Sequence, residues 1–284
     1  MRLLIEKAKA KINLTLDVKY KRSDGYHEVE MIMQTVDLYD RLVFQERERD
    51  EIVLTCNMPY IPLDDRNLVY RAAELIKREF AIHKGIHVHI EKKIPVAAGL
   101  AGGSSDAAAT LRGLNQLWQL GATYEELENV GASIGSDVPF CIRGGTAVAR
   151  GRGEILEHLP IQPNFWVILA KLPISVSTAE VYRKLNIQSI ADHPSAIGMI
   201  HALKSGDIQQ ISGCLGNVLE SVTFEMHPEV AVLKNQFLKF GAPGVLMSGS
   251  GPTVFAITDR EAKAVRIYHA IRGYSRDVFL TRCW

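Results

Sequence analysis

Residues 95–109 read PVAAGLAGGSSDAAA. The stretch follows the alternating run IHVHIEKKI (residues 86–94) and leads into a long segment rich in small residues, so it joins a predicted strand to a predicted helix. Gly99, Gly102 and Gly103 allow backbone N–H groups to come close to a ligand. Ser104 and Ser105 stand at the helix start, where unpaired amides and the positive end of the dipole favour an anion. Together these features describe a phosphate cradle. It is not a Walker A loop, because no GK[ST] follows the glycines, and it is not GxGxxG. The competing reading is a glycine-rich turn with an ordinary Ser/Asp cap; the strand before it and the paired serines and long helix after it weigh against that.

Upstream, KAKAKINL (residues 7–14) sets Lys7, Lys9, Lys11 and Asn13 at a period of two, which places them on one face of a strand. Ala8, Ala10, Ile12, Leu14 and Leu16 form the opposite, buried face. Ser23-Asp24-Gly25 is turn chemistry, and Tyr26 and His27 just after it offer a stacking ring and a hydrogen-bonding imidazole. Asp137 lies between a turn-prone Gly-Ser and a Val-Pro that cannot continue a helix, as a capping or turn residue or as a general base that takes a proton from a substrate hydroxyl. In LMSGSGPTVFA (residues 246–256), Gly249, Ser250 and Gly251 make a tight loop between two apolar strands. His87 and His89 form an HxH with no acidic or cysteine partner at matching spacing, which reads as a solvated strand face rather than a metal site.

The 284 residues carry a formal charge of +1, with 47% apolar and 23% charged residues, as in an ordinary soluble globular protein. That balance gives no electrostatic reason to expect nucleic acid or an anionic membrane. No apolar run approaches the roughly 20 residues that span a bilayer. Cys56, Cys141, Cys214 and Cys283 are scattered, with no CxxC pair, which suits a reducing cytosol. DDRNLVYRAAELIKREFAI (residues 64–82) has Leu68, Ala72, Leu75, Ile76 and Phe80 on one helical face. Further helices are predicted over 104–120, 123–134, 178–186, 195–204, 207–222, 228–240 and from about 260. PIQPN (residues 160–164) is the most linker-like stretch, so two α+β domains are expected, 1–160 and 161–284.

Lys11-Ile12-Asn13, Gly25-Tyr26-His27, the 95–109 loop, Ser136-Asp137-Val138-Pro139 and the 248–252 glycine loop follow one another in an order that resembles the GHMP kinase superfamily. Within it the chain is most similar to the branch acting on a cytidyl-linked methylerythritol, and the match spans nearly the whole chain. The resemblance implies an α+β, two-domain GHMP kinase fold. Its amino-terminal domain would be like ribosomal protein S5 domain 2 and its carboxy-terminal domain ferredoxin-like, with the active site in the cleft between them. It also implies ATP as phosphoryl donor, Mg2+, and a small-molecule alcohol as acceptor. The enzyme would be cytoplasmic, a monomer or homodimer, with no nucleic-acid or membrane partner.

Carried over by position, Lys11 and Asp137 resemble the catalytic pair, the lysine lowering the hydroxyl pKa or holding the aspartate ionised. Asn13, Tyr26, His27, Thr178 and Tyr182 resemble substrate contacts, the rings holding cytosine. Pro95, Val96, Ala97, Ala98, Gly99, Leu100, Ala101, Gly102, Gly103, Ser104 and Ser105 resemble the triphosphate loop, and Lys92 and Asn67 nucleotide-side contacts. Relatives usually have proline where Lys9 stands. For the magnesium ligands, Ser104 or Ser105 fits one role and Glu125, Glu126 and Glu128 are the acids near the other; the sequence selects none of them.

Overall fold

The computed structural model describes residues 3–283. In chain order its elements are β1 (Leu3–Lys21), β2 (His27–Arg47), β3 (Ile52–Cys56), α1 (Leu68–Glu79), β4 (Gly85–Glu91), α2 (Gly102–Trp118), α3 (Tyr124–Ala132), α4 (Val138–Arg143), β5 (Thr146–Arg150), β6 (Ile155–Leu159) and β7 (Trp166–Lys171). They continue with α5 (Thr178–Lys184), α6 (Ala196–Ser205), α7 (Ile208–Cys214), β8 (Gly216–Asn217), α8 (Glu220–Met226), α9 (Pro228–Lys239), β9 (Gly244–Met247), β10 (Thr253–Thr258), α10 (Glu261–Ile271) and β11 (Asp277–Arg282). The chain divides into two interleaved compact units. One holds the residues up to Ala10, Leu38–Val96 and Ala101–Gly144; the other holds Lys11–Asp37, Ala97–Leu100 and the chain from Gly145 onward.

In the first unit the second half of β2 pairs antiparallel with β4, from Arg41 opposite Glu91 to Arg47 opposite Gly85, and β3 joins β4 in parallel. Ile86, Val88 and Ile90 are buried, with His87 and His89 on the half-buried face, so the alternation of this strand is realised. Helix α1 buries Val69, Ala72, Ala73 and Ile76 as one stripe. Helix α2 is more deeply set: Ser105 through Leu111 are buried all round, so the run Ala107-Ala108-Ala109 meets neighbours on every side. Gly113 lets this helix lie against the sheet, since a Cβ there would come within 2.8 Å of the Phe44 ring. Phe44 is fully buried, a contribution of about 1.5–3 kcal/mol relative to exposure.

In the second unit the first half of β2 pairs with β5, from Met31 opposite Ala149 to Gln34 opposite Thr146, and β5 pairs with β6. Four antiparallel strands follow in the order β11-β7-β10-β9. Helix α9 precedes β9 and α10 links β10 to β11, which is the split βαβ arrangement of a ferredoxin-like layer.

Three local expectations are corrected. Residues 207–222 are not one helix: α7 ends at Cys214, and Gly216 and Asn217 form a short strand parallel to β1 at Thr15 and Leu16 before α8 begins. Val138-Pro139 opens a helix instead of ending one, because proline in the first turn has no N–H to lose there. From Lys11 onward the polar face of β1 is as buried as its apolar face, with Lys11 5% exposed, Asn13 0%, Thr15 1% and Asp17 0%, whereas Lys7 is exposed and Lys9 half-buried.

Candidate active site

The glycine–serine loop takes an unusual backbone path. Ala97, Gly99 and Ala101 all have positive φ (51°, 71° and 56°), so left-handed residues alternate with ordinary ones. Such alternation turns successive N–H groups toward one side and makes an anion-binding concavity. Two alanines in this region cost roughly 1–2 kcal/mol each, strain of the kind that gathers at ligand sites. The loop ends at Ala101, the N-cap of α2, which has no side chain able to cap the helix amides. Ser105 turns inward and donates its hydroxyl to the Lys9 carbonyl at 2.6 Å, whereas Gly103 is exposed and Ser104 half-buried.

Within the second unit the loop tip and Lys11 are joined: the Lys11 N–H donates to the Leu100 carbonyl at 3.2 Å. The Lys11 ammonium donates to Asn13 Oδ1 at 2.8 Å, and Asn13 Nδ2 points to Met31 Sδ at 3.0 Å. The 248–251 loop closes on the same place. Ser248 Oγ donates to the Gly99 carbonyl at 2.9 Å, and a Cβ on Gly99 would lie 2.2 Å from the Ser248 carbonyl oxygen. Asn217 Nδ2 donates to the carbonyls of Met247 and Gly249 at 2.9 and 2.7 Å, fixing that loop from below. Ser248 opens the 248–252 loop of the resemblance, whereas Asn217, inside the run expected as one helix, carries no motif signal.

The aromatic residues singled out in the sequence also meet inside the second unit. The His27 and Tyr182 rings lie 5.2 Å apart, tilted by 38°. The Asp24 carboxylate accepts the Tyr26 N–H at 3.0 Å, and the Arg152 guanidinium lies 5.0 Å from the Tyr26 ring, a contact not anticipated. Burial, reinforced by the Lys21 charge, holds the His27 imidazole below its ordinary value of 6.5, so it favours the neutral form. Thr178 Oγ1 shares a hydrogen bond with Ser250 Oγ at 2.7 Å.

In the first unit, Asp137 is the N-cap residue of α4 and makes no capping hydrogen bond with its side chain. Lys92 and Asn67, placed beside the nucleotide in the sequence analysis, have internal partners. Asn67 caps α1 by accepting from the Val69 N–H at 2.9 Å and donates to the Pro62 carbonyl at 2.7 Å. The Lys92 ammonium donates to Asp40 Oδ2 at 2.5 Å and Asp106 Oδ2 at 2.7 Å. Burial works against the Lys92 charge, but the two carboxylates outweigh it and hold its pKa above the ordinary value. Burial pushes the Asp106 carboxyl well above the usual carboxylate range, and Lys92 opposes this without cancelling it.

Two of the three acids considered for a metal are otherwise engaged: Glu126 closes a capping box with Thr123, and Glu128 pairs with Arg143 at 3.0 Å. Among the described residues no group of three or more His, Cys, Asp or Glu is arranged to hold a metal ion. On the HxH strand, the Thr55 hydroxyl lies 2.9 Å from His87 Nε2 and 2.8 Å from His89 Nδ1. No helix among the described residues is long and apolar enough to cross a membrane.

Comparisons with known proteins show similarity over nearly the whole chain. Residues 67–145 match the profile of the GHMP kinases N terminal domain, and residues 199–276 that of the GHMP kinases C terminal. The 4-diphosphocytidyl-2-C-methyl-D-erythritol kinase of Brevibacillus brevis is 58% identical over 97% of this chain and 94% of its own. The enzyme of that name from Bacillus subtilis is 57% identical over 98% and 96%. A crystal structure of 4-(cytidine 5'-diphospho)-2C-methyl-D-erythritol kinase superposes with a TM-score of 0.85 at 32% identity, covering 99% of each chain.

Proposed function

The chain belongs to the GHMP kinase family, and from that premise we propose that it phosphorylates the 2-hydroxyl of 4-diphosphocytidyl-2-C-methyl-D-erythritol with ATP, giving the 2-phosphate and ADP on the way to isoprenoid precursors. The observation that carries this reading is a conjunction. A chain 58% identical to a kinase of that alcohol holds both an anion-binding loop and the His27–Tyr182 ring pair. A homoserine or mevalonate-type kinase needs the loop but has no use for rings that grip a base.

The chemistry follows from the side chains. Asp137 takes the proton of the 2-hydroxyl as its oxygen attacks the γ-phosphorus, and the bond from that phosphorus to the ADP oxygen breaks. Lys11, oriented by Asn13, supplies the cation that stabilises negative charge on the reacting oxygens. The loop N–H groups and the start of α2 bind the phosphates. Ser104 and Ser105 are the loop hydroxyls that would offer an oxygen to a magnesium ion, since Ser105 gives only its proton to the Lys9 carbonyl and keeps its lone pairs. When bound, that ion neutralises charge on the transferred group. His27 and Tyr182 touch, so cytosine stacks against the pair rather than between its rings, and the neutral imidazole is free to exchange hydrogen bonds with the base edge.

The test is ADP release by the purified protein with Mg-ATP and four alcohols: the cytidyl-linked methylerythritol, free methylerythritol 4-phosphate, mevalonate and homoserine. Turnover with the cytidyl compound alone is expected. Turnover with another alcohol instead would move the protein to a sibling activity and remove the base-holding role of Tyr26, His27 and Tyr182. ATP binding without turnover on any alcohol would make it a non-catalytic binder.

A further inference from the structure

The strand before the phosphate loop and the helix after it are bridged by a buried charge cluster that no part of the phosphoryl-transfer chemistry uses. The side chains of Asp40, Lys92 and Asp106 are 0%, 4% and 6% exposed. Asp40 sits on β2, and its Oδ1 accepts the backbone N–H groups of Lys93 and Ile94 at 2.5 and 2.8 Å, the residues that lead into Pro95. Its Oδ2 accepts from Lys92. Lys92 then reaches Asp106 in the first turns of α2, where the loop ends. The three side chains thus connect the entry of the loop to its exit.

The fit at the exit is close. A Cβ on Gly102, the first residue of α2, would come within 3.0 Å of Ile94 Cγ2 and 3.4 Å of the Lys92 ammonium. The helix start therefore rests directly on Ile94 and Lys92, and moving either would move the amides that face the phosphates. One Asp106 oxygen, Oδ1, is buried with no hydrogen-bond partner. Two carboxylates and one ammonium are an expensive set to bury for packing alone, since apolar side chains of similar volume fill such a space at no electrostatic cost.

We propose that Asp40, Lys92 and Asp106 form a staple that fixes the two ends of the phosphate loop relative to each other, making them positioning residues for the triphosphate donor. This rests on the reading of the loop as the ATP site. Lys92 acts through the backbone of Lys93, Ile94 and Gly102 and not by contact with the nucleotide. An error of about 1 Å in such a loop suffices for losses on the order of a hundredfold.

The experiment measures ATP KM, KM for the cytidyl-linked alcohol, kcat and direct ATP binding by titration, each at a temperature below the measured melting point of every variant. Breaking one partner of a buried pair threatens folding, so the central variant is Lys92→Met/Asp106→Leu, which removes the bridge while the Asp40 carboxylate keeps the Lys93 and Ile94 N–H groups as partners. It is expected to raise ATP KM roughly tenfold or more while KM for the alcohol stays within about twofold, the signature of lost donor positioning. Asp40→Asn, which touches no loop atom beyond two N–H groups, is expected to shift the same constant in the same direction. A folded double variant with unchanged ATP KM and ATP binding, beside a parent that binds ATP, would overturn the staple alone. A parent that binds no ATP would overturn the loop reading and the staple with it.

Discussion

The Lys11 ammonium donates to the Asn13 side-chain oxygen at 2.8 Å, two residues along one strand and almost out of water. A buried lysine needs partners, and the Asn13 amide oxygen is one that orients this ammonium. Replacing Lys11 with Met is therefore expected to lower kcat at least about a hundredfold with ATP binding intact, because the charge acts on the reacting oxygens. Asn13→Ala keeps the cation but loses its aim, and a smaller fall, on the order of tenfold, is expected in the same steady-state assay. Equal losses in the two variants would mean that Asn13 touches the reacting group itself.

Asp137 tests the proton acceptor. Its carboxylate makes no capping bond to α4, so Asp137→Asn removes no cap from that helix, and any change in stability is read on its own by a thermal melt. Turnover should nonetheless drop by a factor on the order of 10² or more. A thermal melt and a single-turnover assay on the same preparation separate the two effects. Near-normal turnover would remove Asp137 from the chemistry.

Much of this arrangement is legible in the sequence, for identifiable reasons. A strand of period two and a glycine–serine turn before a helix are local patterns, and both β4 and α2 are where those patterns put them. Interleaving is not local: that β1 and β2 each contribute residues to both compact units depends on contacts between distant parts of the chain. The burial of Lys11, Asn13, Thr15 and Asp17 is invisible for the same reason, since alternation reads as one wet face until something covers it. Lys92 resembles a nucleotide-side contact by its place in the family pattern; its partner Asp40 lies 52 residues away, beyond the reach of any spacing argument. Asn217 went unread because the 207–222 run has the composition of one helix, and the tertiary pull of β1 breaks it.

The loop tip makes a sharper stability prediction. Gly99 has φ of 71°, and an added Cβ would lie 2.2 Å from the Ser248 carbonyl oxygen, a backbone atom that cannot swing away. Gly99→Ala combines a left-handed penalty with an overpacking cost, together about 3 kcal/mol. It should also raise ATP KM. By contrast Gly25→Ala, with a φ of 86° but nothing within 4 Å, should cost only the conformational part, about 1–2 kcal/mol. Chemical denaturation of the two variants side by side checks the difference, and equal losses would mean that the 248–251 loop yields.

The ring pair carries the last prediction, through pH. Burial lowers the His27 pKa below 6.5, so as pH falls through the ordinary histidine range the unfolded chain takes up a proton before the folded one does. Folding stability then declines on acidification from about pH 7, and His27 stays neutral in the folded enzyme to a lower pH than a free imidazole would. A neutral ring offers one donor and one acceptor to a base edge, whereas the protonated ring offers two donors. KM for the cytidyl substrate should therefore rise at acid pH with a midpoint below 6.5, while ATP KM, read in the same titration, shows no such midpoint. His27→Gln, which keeps a donor and an acceptor but does not titrate, should flatten the profile. Tyr182→Ala should raise KM for the same substrate at every pH, with ATP KM little changed, because it removes the stacking surface and not the titrating group. A pH profile unchanged by His27→Gln would assign the titration to another group and take His27 out of contact with the base.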